Sequence, residues 1–162
     1  MLTNLIKPEI KVWFEKSAAS ELYASNLYKF LANQMQRIGL FGAQKYFENE
    51  EASETEHYKK LSGFVNDMGG VLGTPAVEKI DETVNSLMTA LQIAYETELE
   101  LLKQYQEFYE EAEDKYSDCV TSTFLLEFLN IQRSSVGEYG DLISRLSLGG
   151  DIYRFDHEMS KL

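Results

Sequence analysis

The four residues Glu54-Thr55-Glu56-His57 decide how the rest of this sequence is interpreted. They lie near the middle of residues 41–68, a proline-free segment in which apolar residues recur at the spacing of an α-helix. In a helix, residues three apart lie on one face and about one turn from each other. Glu54 and His57 therefore share the face that carries the apolar residues of the segment, and both side chains can reach a single ion.

Three further segments have the same periodicity, and together the four predict a bundle of long helices. Residues 8–37 and 41–68 are joined by a very short link, so we expect them to pack as an antiparallel hairpin. Residues 82–115 and 119–148 form a second hairpin, and the turn-rich connection at about 69–81 is long enough to cross the bundle. The sequence thus predicts an all-α fold, a four-helix bundle of two hairpins with one long crossover.

The whole chain, residues 1–162, is expected to form one domain. The bundle takes up about residues 8–148, and a short amphipathic fifth helix is expected at about 151–162. Periodicity also assigns the residues that face the core. They are Phe14, Ala18, Ala24, Leu31 and Met35 in the first helix, Ala43, Phe47, Leu61, Phe64 and Met68 in the second, Leu87, Leu91, Ala94, Leu102 and Tyr109 in the third, and Leu125, Phe128, Tyr139, Leu142 and Leu146 in the fourth.

Composition and charge exclude several classes of partner. The formal net charge of −12 disfavours nucleic acid, because binding a polyanion requires Lys and Arg against the phosphates. No stretch approaches the roughly 20 apolar residues of a membrane span, and the N-terminus lacks a secretory signal, so we expect a cytoplasmic protein with no membrane partner. The single cysteine, Cys119, cannot form an internal disulfide.

Polar residues interrupt each predicted core stripe near its middle. Burying unpaired carboxylates is costly unless they are protonated, paired with cations or bound to metal. No Lys or Arg falls on a core face at this level, which leaves a metal ion as the natural partner. Carboxylates with one imidazole suit iron or manganese better than a structural zinc. The interrupting residues are Glu21 in the first helix, Glu54 and His57 in the second, Glu98 in the third, and Gln132 and Ser135 in the fourth.

Each of these residues also has an ordinary explanation. A Glu-x-x-His pair on a helix is common by chance, Glu21 or Glu98 alone could be an exposed acid, and Gln132 could be an interhelical hydrogen-bonding residue. The metal interpretation depends on their coincidence, since acids fall in phase with the core stripe on three helices and a histidine lies at the right offset.

Several stretches, spread over nearly the whole chain, match the helices of a known family. They are Glu21-Leu22-Tyr23-Ala24-Ser25-Asn26-Leu27-Tyr28, Tyr46-Phe47, Glu54-x-x-His57 and Leu61, Tyr95-Glu96-Thr97-Glu98, Phe124-Leu125, Phe128-Leu129 and Gln132, and finally Leu146-Ser147-Leu148-Gly149-Gly150, Ile152-Tyr153 and Phe155-Asp156. These stretches resemble ferritins, and the last of them resembles the end of the fourth helix and the short fifth helix of bacterial non-haem ferritins.

The resemblance implies a set of iron ligands. Glu21, Glu54 and His57 would hold a first iron, Glu54 would bridge to a second iron, and Glu98 would bind that second iron. Gln132 matches a glutamine that lies beside the second iron in animal ferritins. These five residues, together with a nearby tyrosine, would form the catalytic site.

Two further residues enter through the same resemblance. Tyr28 matches the tyrosine beside the di-iron centre, which could supply an electron to the oxygen intermediate, although aromatic residues in core stripes usually serve packing. Glu50, one turn before Glu54, is a possible additional metal ligand, and the alternative is an exposed acid facing the interior of a shell.

The sequence also departs from the bacterial pattern. Ser53, Ile131, Ser134 and Ser135 stand where many bacterial ferritins carry the glutamates of a third iron site, so the resemblance implies that this site is absent or rebuilt. Ser135 makes the second iron position similar to that of the animal catalytic subunit. The chain lacks a second Glu-x-x-His motif and has Thr55 where bacterioferritin has its haem-ligating methionine, so no haem is expected; the missing motif and the lack of paired cysteines also disfavour rubrerythrin.

Resemblance to ferritins implies an iron-storage protein with ferroxidase activity. Two irons per subunit would be oxidised by O2, and the ferric product would be stored in a homo-oligomeric shell of 24 subunits. Three alternatives stay open: a non-catalytic storage subunit, which Ser135 keeps in consideration, a di-metal bundle enzyme that uses manganese or acts on an organic substrate, and a metal-free structural bundle.

Overall fold

The computed structural model describes all 162 residues and contains five helices. They are α1 (Pro8–Arg37), α2 (Phe41–Asp67), α3 (Leu87–Glu110), α4 (Cys119–Ser147) and α5 (Ile152–Met159). A π-helical turn, Glu111–Lys115, continues α3, and the Tyr116 N–H donates to the Glu111 carbonyl oxygen at 3.1 Å. The predicted all-α fold, a four-helix bundle with a short fifth helix, is confirmed.

Local sequence explains most helix ends. Pro8 begins α1, where its missing N–H is not needed, and Gly39 follows α1 with a φ of +86°, which a glycine adopts without steric cost. The Asp118 carboxylate accepts the Thr121 N–H at 3.1 Å and so caps the start of α4. No helix combines the length and the apolar character that crossing a membrane requires.

The expected start of the third helix at residue 82 is wrong. The helix begins at Leu87, and the crossover extends to Ser86. The Ser86 hydroxyl accepts the Thr89 N–H at 3.1 Å, which satisfies a backbone donor of the first turn. Leu87 is buried, whereas residues 81–83 are exposed and only Val84 of residues 81–85 packs against the core, so an earlier start would add little buried apolar surface.

Most predicted core residues are buried, and Phe64, Met68 and Leu146 are half-buried and pack against the core. The prediction is wrong in the second half of α3. Leu101 and Phe108 are buried there, whereas the predicted Leu102 and Tyr109 are only half-buried. The true stripe keeps the helical period through Glu98, and the predicted one drifted by a single residue. Glu98 consequently lies in the middle of the buried face of α3.

Two aromatic layers enclose the polar level of the bundle. On one side, Phe14, Phe64, Phe108, Phe124 and Phe128 pack with ring centroids 4.2 to 6.1 Å apart. On the other side the rings are mostly tyrosines, and they pack around Phe47 at similar separations. Such layers exclude water from the polar residues between them.

α5 docks on the first turn of α2 through Asp156. Its carboxylate accepts the N–H groups of Gly42 at 3.0 Å and Ala43 at 2.7 Å. Leu40, which precedes α2, has no side-chain cap to offer, so Asp156 supplies the missing acceptors from a distant part of the chain. A Cβ on Gly42 would lie 1.8 Å from the Asp156 carbonyl oxygen, so only glycine permits this approach.

We predict that Gly42→Ala displaces α5. The clash should cost roughly 1–3 kcal/mol and outweigh the gain of about 1 kcal/mol from helix propensity. Gly63→Ala is the matched control, because a Cβ at Gly63 in the same helix meets nothing within 4 Å. Hydrogen exchange at residues 152–159 should accelerate in Gly42→Ala alone. Unchanged exchange there would show that α5 does not depend on this contact.

Candidate metal centre

One buried polar residue from each long helix lies at the middle of the bundle. Glu21 of α1, Glu98 of α3 and Gln132 of α4 have no exposed surface, and Glu54 of α2 is 2% exposed. Each occupies a position in its helix that the apolar pattern assigns to the core. The four helices therefore bring three carboxyl groups and one amide into the buried interior.

Glu21, Glu54 and His57 form the tightest group. One ligand atom from each lies within 4.8 Å of the other two. His57 Nδ1 is 2.9 Å from Glu54 Oε2 and 3.4 Å from Glu21 Oε2. Two carboxylate oxygens and an imidazole nitrogen pointing at one another can bind a single divalent ion of the iron or manganese type.

Two buried tyrosines orient the carboxyl groups. The Tyr105 hydroxyl donates to Glu21 Oε1, and the Tyr28 hydroxyl donates to Glu98 Oε1. The second oxygens of Glu21 and Glu98 then have no hydrogen-bond partner, and neither polar atom of the Gln132 amide has one. Buried acceptors without donors are rare because each costs free energy. Three such acceptors, on Glu21, Glu98 and Gln132, fit a bound cation.

In the metal-free site, two of the three buried glutamates have raised pKa values and so hold their protons more readily. Burial, reinforced by the neighbouring Glu21 carboxyl, raises the pKa of Glu54 well above its usual value. Burial also opposes ionisation of Glu21, but the neighbouring Glu54 carboxyl and His57 imidazole outweigh it and lower the Glu21 pKa. Burial raises the pKa of Glu98 to about 7.

No Lys or Arg side chain balances this charge. Lys59, Lys60, Lys103 and Arg133 are exposed on the outer faces of their helices, as predicted. Lys60 instead pairs with Glu127 at the surface. Apart from the His57 imidazole and the hydroxyls of Tyr28 and Tyr105, the buried carboxyl groups therefore have only protons or metal ions as partners.

Glu50 and the four replaced positions lie outside the tight group. Glu50 is half-buried, which differs from the exposed alternative, and its Oε2 accepts the Tyr139 O–H at 3.1 Å. Burial and the nearby Glu138 carboxyl raise the pKa of Glu50 to about 7. The four positions where the bacterial pattern has glutamates carry no carboxyl group in this chain. Ser53 and Ser134 are exposed there, and Ile131 and Ser135 are half-buried.

Tyr105 was not among the residues predicted from the sequence, although it donates a hydrogen bond to Glu21, a predicted metal ligand. The cause is the phase error in α3, which assigned the core to Leu102 and Tyr109. A stripe continued through Glu98 at the helical period would have placed Tyr105 two turns further along the same face.

Comparison with known sequences identifies related chains. The family model described as "Ferritin-like domain" matches residues 14–148, which contain every predicted ligand. A ferritin of Pacifastacus leniusculus is 32% identical over 149 residues, covering 87% of this chain and 82% of the relative. A probable bacterial non-heme ferritin-like protein of Haemophilus influenzae is 22% identical over 146 residues and 88% of each chain.

Comparison with solved structures gives the same result. An open pore ferritin from Archaeoglobus fulgidus superposes with a TM-score of 0.91 and 26% identity over 98% of both chains. A closed form of that ferritin, engineered by site-directed mutagenesis, superposes with a TM-score of 0.90 and 26% identity over 96% of each chain. Since the family model covers most of the chain and the four helices superpose over their whole length, this protein belongs to the ferritin family.

Proposed function

We propose that this protein stores iron and is a ferroxidase, which oxidises Fe(II) with O2 at the buried cluster and keeps the ferric product inside a shell of its own copies. The supporting observation is the close group of Glu21, Glu54 and His57, together with the second oxygens of Glu21 and Glu98, which have no hydrogen-bond donor. Ferrous iron is the substrate, and its positive charge satisfies these acceptors.

Each residue has a definite role in this proposal. Glu21, Glu54 and His57 bind the first ferrous ion, and Glu54 with Glu98 binds the second. Gln132 contributes its free amide oxygen beside the second ion, where Ser135 supplies no carboxylate. Two ferrous ions held by a shared carboxylate can each give one electron to the same O2 molecule.

Proton release accompanies iron binding. In the metal-free protein, Glu54 and Glu98 tend to keep their protons because burial raises the pKa of both. A carboxylate must lose its proton before it binds a metal, so iron binding releases protons and weakens as the pH falls. Tyr28 donates its hydroxyl hydrogen to Glu98, and it is positioned to give an electron to reduced oxygen and a proton to that carboxylate.

Burial favours a small substrate over an organic one. The three cluster glutamates are at most 2% exposed, which leaves access only to ions and molecules as small as O2. A cleft of about 390 Å³ between α1, α3 and the crossover could admit a larger molecule. Lys16, Tyr23 and Gln104 line it, and none of the proposed ligands does.

We predict that Glu54→Gln abolishes rapid Fe(II) oxidation. The amide cannot bridge two cations as a carboxylate does, and loss of such a ligand should lower the rate at least roughly 100-fold. Glu56→Gln is the matched control, since Glu56 is exposed in the same helix and pairs with Lys59. Oxidation is followed by absorbance after metal-free protein, Fe(II) and O2 are mixed. Equal rates in both variants and the parent would refute the ferroxidase and leave a passive storage subunit.

We also predict that the protein elutes as a hollow shell of 24 copies, near 446 kDa if each subunit has the chain mass of 18.6 kDa (24 times 18.6). Light scattering on the eluted peak measures the mass, and small-angle X-ray scattering reports whether the interior is hollow. A monomer or dimer would contradict storage in a cavity. Such a result would not test Fe(II) oxidation at the buried site, which the Glu54→Gln assay tests separately.

The metal-free protein should lose stability as the pH rises from about 5 to about 7.5. The fold raises the pKa of Glu98 from 4.5 to about 7, so the unfolded chain loses this proton first and folding becomes less favourable until both states are ionised. Glu98→Gln should weaken this dependence and raise the thermal midpoint of the metal-free protein at pH 8. Glu96→Gln, at an exposed position in α3, is the control. An equal thermal midpoint of the two variants at pH 8 would show that ionised Glu98 does not destabilise the metal-free fold.

A further inference from the structure

Three tyrosines from three helices form a continuous line of rings that starts at the metal centre. The Tyr28 ring of α1 stacks on the Tyr139 ring of α4 with centroids 6.2 Å apart and an interplanar angle of 14°. The Tyr139 ring meets the Tyr46 ring of α2 edge-on, with centroids 6.0 Å apart. These are the separations of aromatic rings in contact, so an electron can pass from one ring to the next without crossing intervening backbone.

Each tyrosine in this line has its own proton acceptor. Tyr28 donates to Glu98, Tyr139 donates to Glu50 Oε2 at 3.1 Å, and Tyr46 donates to Glu138 Oε1 at 3.2 Å. A tyrosine that loses an electron must also lose its hydroxyl proton, and a carboxylate at hydrogen-bond distance takes that proton directly. The line begins at a proposed metal ligand and ends at Glu138, which is exposed.

Packing alone does not account for these hydroxyls. Tyr28 and Tyr139 have no exposed surface and Tyr46 is 2% exposed, and phenylalanines would fill the same space without a buried hydroxyl to satisfy. The chain uses that solution on the opposite side of the metal centre. There Tyr105 contacts Phe128, which is followed by Phe124, and phenylalanine rings are far harder to oxidise than tyrosines. Tyrosines therefore continue from the metal centre in one direction only.

We propose that Tyr139 and Tyr46 form an electron relay, which carries one electron from a ferrous ion at the Glu138 end through Tyr28 to oxygen at the metal centre. This inference rests on the proposed ferroxidase function, because O2 is the oxidant and Fe(II) is the reductant. It assigns a redox role to two residues that bind neither of the two irons.

Each step of the relay conserves electrons and protons. Tyr28 gives an electron to partly reduced oxygen and its proton to Glu98. Tyr139 then reduces the Tyr28 radical, which recovers its proton from Glu98, while the Tyr139 proton moves to Glu50. Tyr46 reduces the Tyr139 radical in the same way, with Glu138 as the proton acceptor.

A ferrous ion that reaches the exposed end completes the sequence. It reduces the Tyr46 radical and becomes ferric, and Tyr46 recovers its proton from Glu138. The net result is one Fe(II) oxidised outside the centre and one electron added to oxygen inside it. The centre thus receives a third electron for each O2 without first exchanging its own two irons. A second ferrous ion at the same end supplies the fourth electron that the reduction of O2 to water requires.

The test follows tyrosyl radicals by rapid-freeze electron paramagnetic resonance after O2 is mixed with protein carrying Fe(II) in excess of two per subunit. The parent is compared with Tyr139→Phe, Tyr46→Phe and the control Tyr109→Phe, a half-buried tyrosine outside the line. Tyr139→Phe should trap the radical on Tyr28, and Tyr46→Phe should trap it on Tyr139. Either variant should lengthen the lifetime of the radical roughly tenfold or more, equal to about 1.4 kcal/mol in the barrier to its reduction. Tyr109→Phe should decay as the parent does.

Two results would overturn the relay while the ferroxidase stands. One is rapid Fe(II) oxidation by the parent with no tyrosyl radical, and the other is equal radical lifetimes in all four proteins. Slow oxidation by the parent itself would instead remove the proposed function and the relay with it. If Tyr139→Phe fails to assemble because Glu50 loses its donor, Tyr46→Phe decides the question alone, since its partner Glu138 is exposed.

Discussion

Burial of three carboxyl groups with no Lys or Arg beside them is the constraint on which the rest of this structure depends. An isolated charge in a dry helical bundle is so unfavourable that the group takes up a proton or binds a metal. Glu21, Glu54 and Glu98 come from three different helices, so the cost is imposed on the whole bundle. The long helices bury aromatic layers on both sides of the polar level, and this apolar burial offsets the cost of burying the carboxyl groups.

The two aromatic layers perform different tasks with similar volumes. The phenylalanine layer provides close packing and no polar atoms, so it only excludes water. The tyrosine layer packs as tightly, but it adds hydroxyl groups that need acceptors, and Glu50 and Glu138 provide them. The tyrosine layer thus contains polar groups beyond what packing requires, which is the usual mark of a functional region rather than of a stabilising one.

Sequence predicted the parts of this structure that depend on local chemistry. Pro8 and Gly39 mark real helix ends, and Glu54 with His57 marks the tightest group of side chains of the metal-binding type, because both signals follow from helical geometry alone. The Ser86 cap was missed because residues 82–85 were assigned to the first turn of the helix, although residues 81–83 are exposed. The sequence could not predict contacts between helices, such as the hydrogen bond from Tyr139 in α4 to Glu50 in α2. The apolar pattern of a helix shows which of its residues face the core, but not which residue of another helix each of them contacts.

Glu98 connects the proposed chemistry of the metal centre to that of the relay. One of its oxygens accepts the Tyr28 hydroxyl, and the other has no partner and is available to iron. A cation on the free oxygen draws electron density from the carboxylate and makes it a weaker acceptor for the Tyr28 proton. A ferrous ion, and still more a ferric ion, on that oxygen therefore keeps the proton on Tyr28 and makes Tyr28 harder to oxidise. Transfer of the Tyr28 proton to Glu98 thus requires that Glu98 first be released from the metal ion, which links electron release from Tyr28 to a change of ligands at the centre.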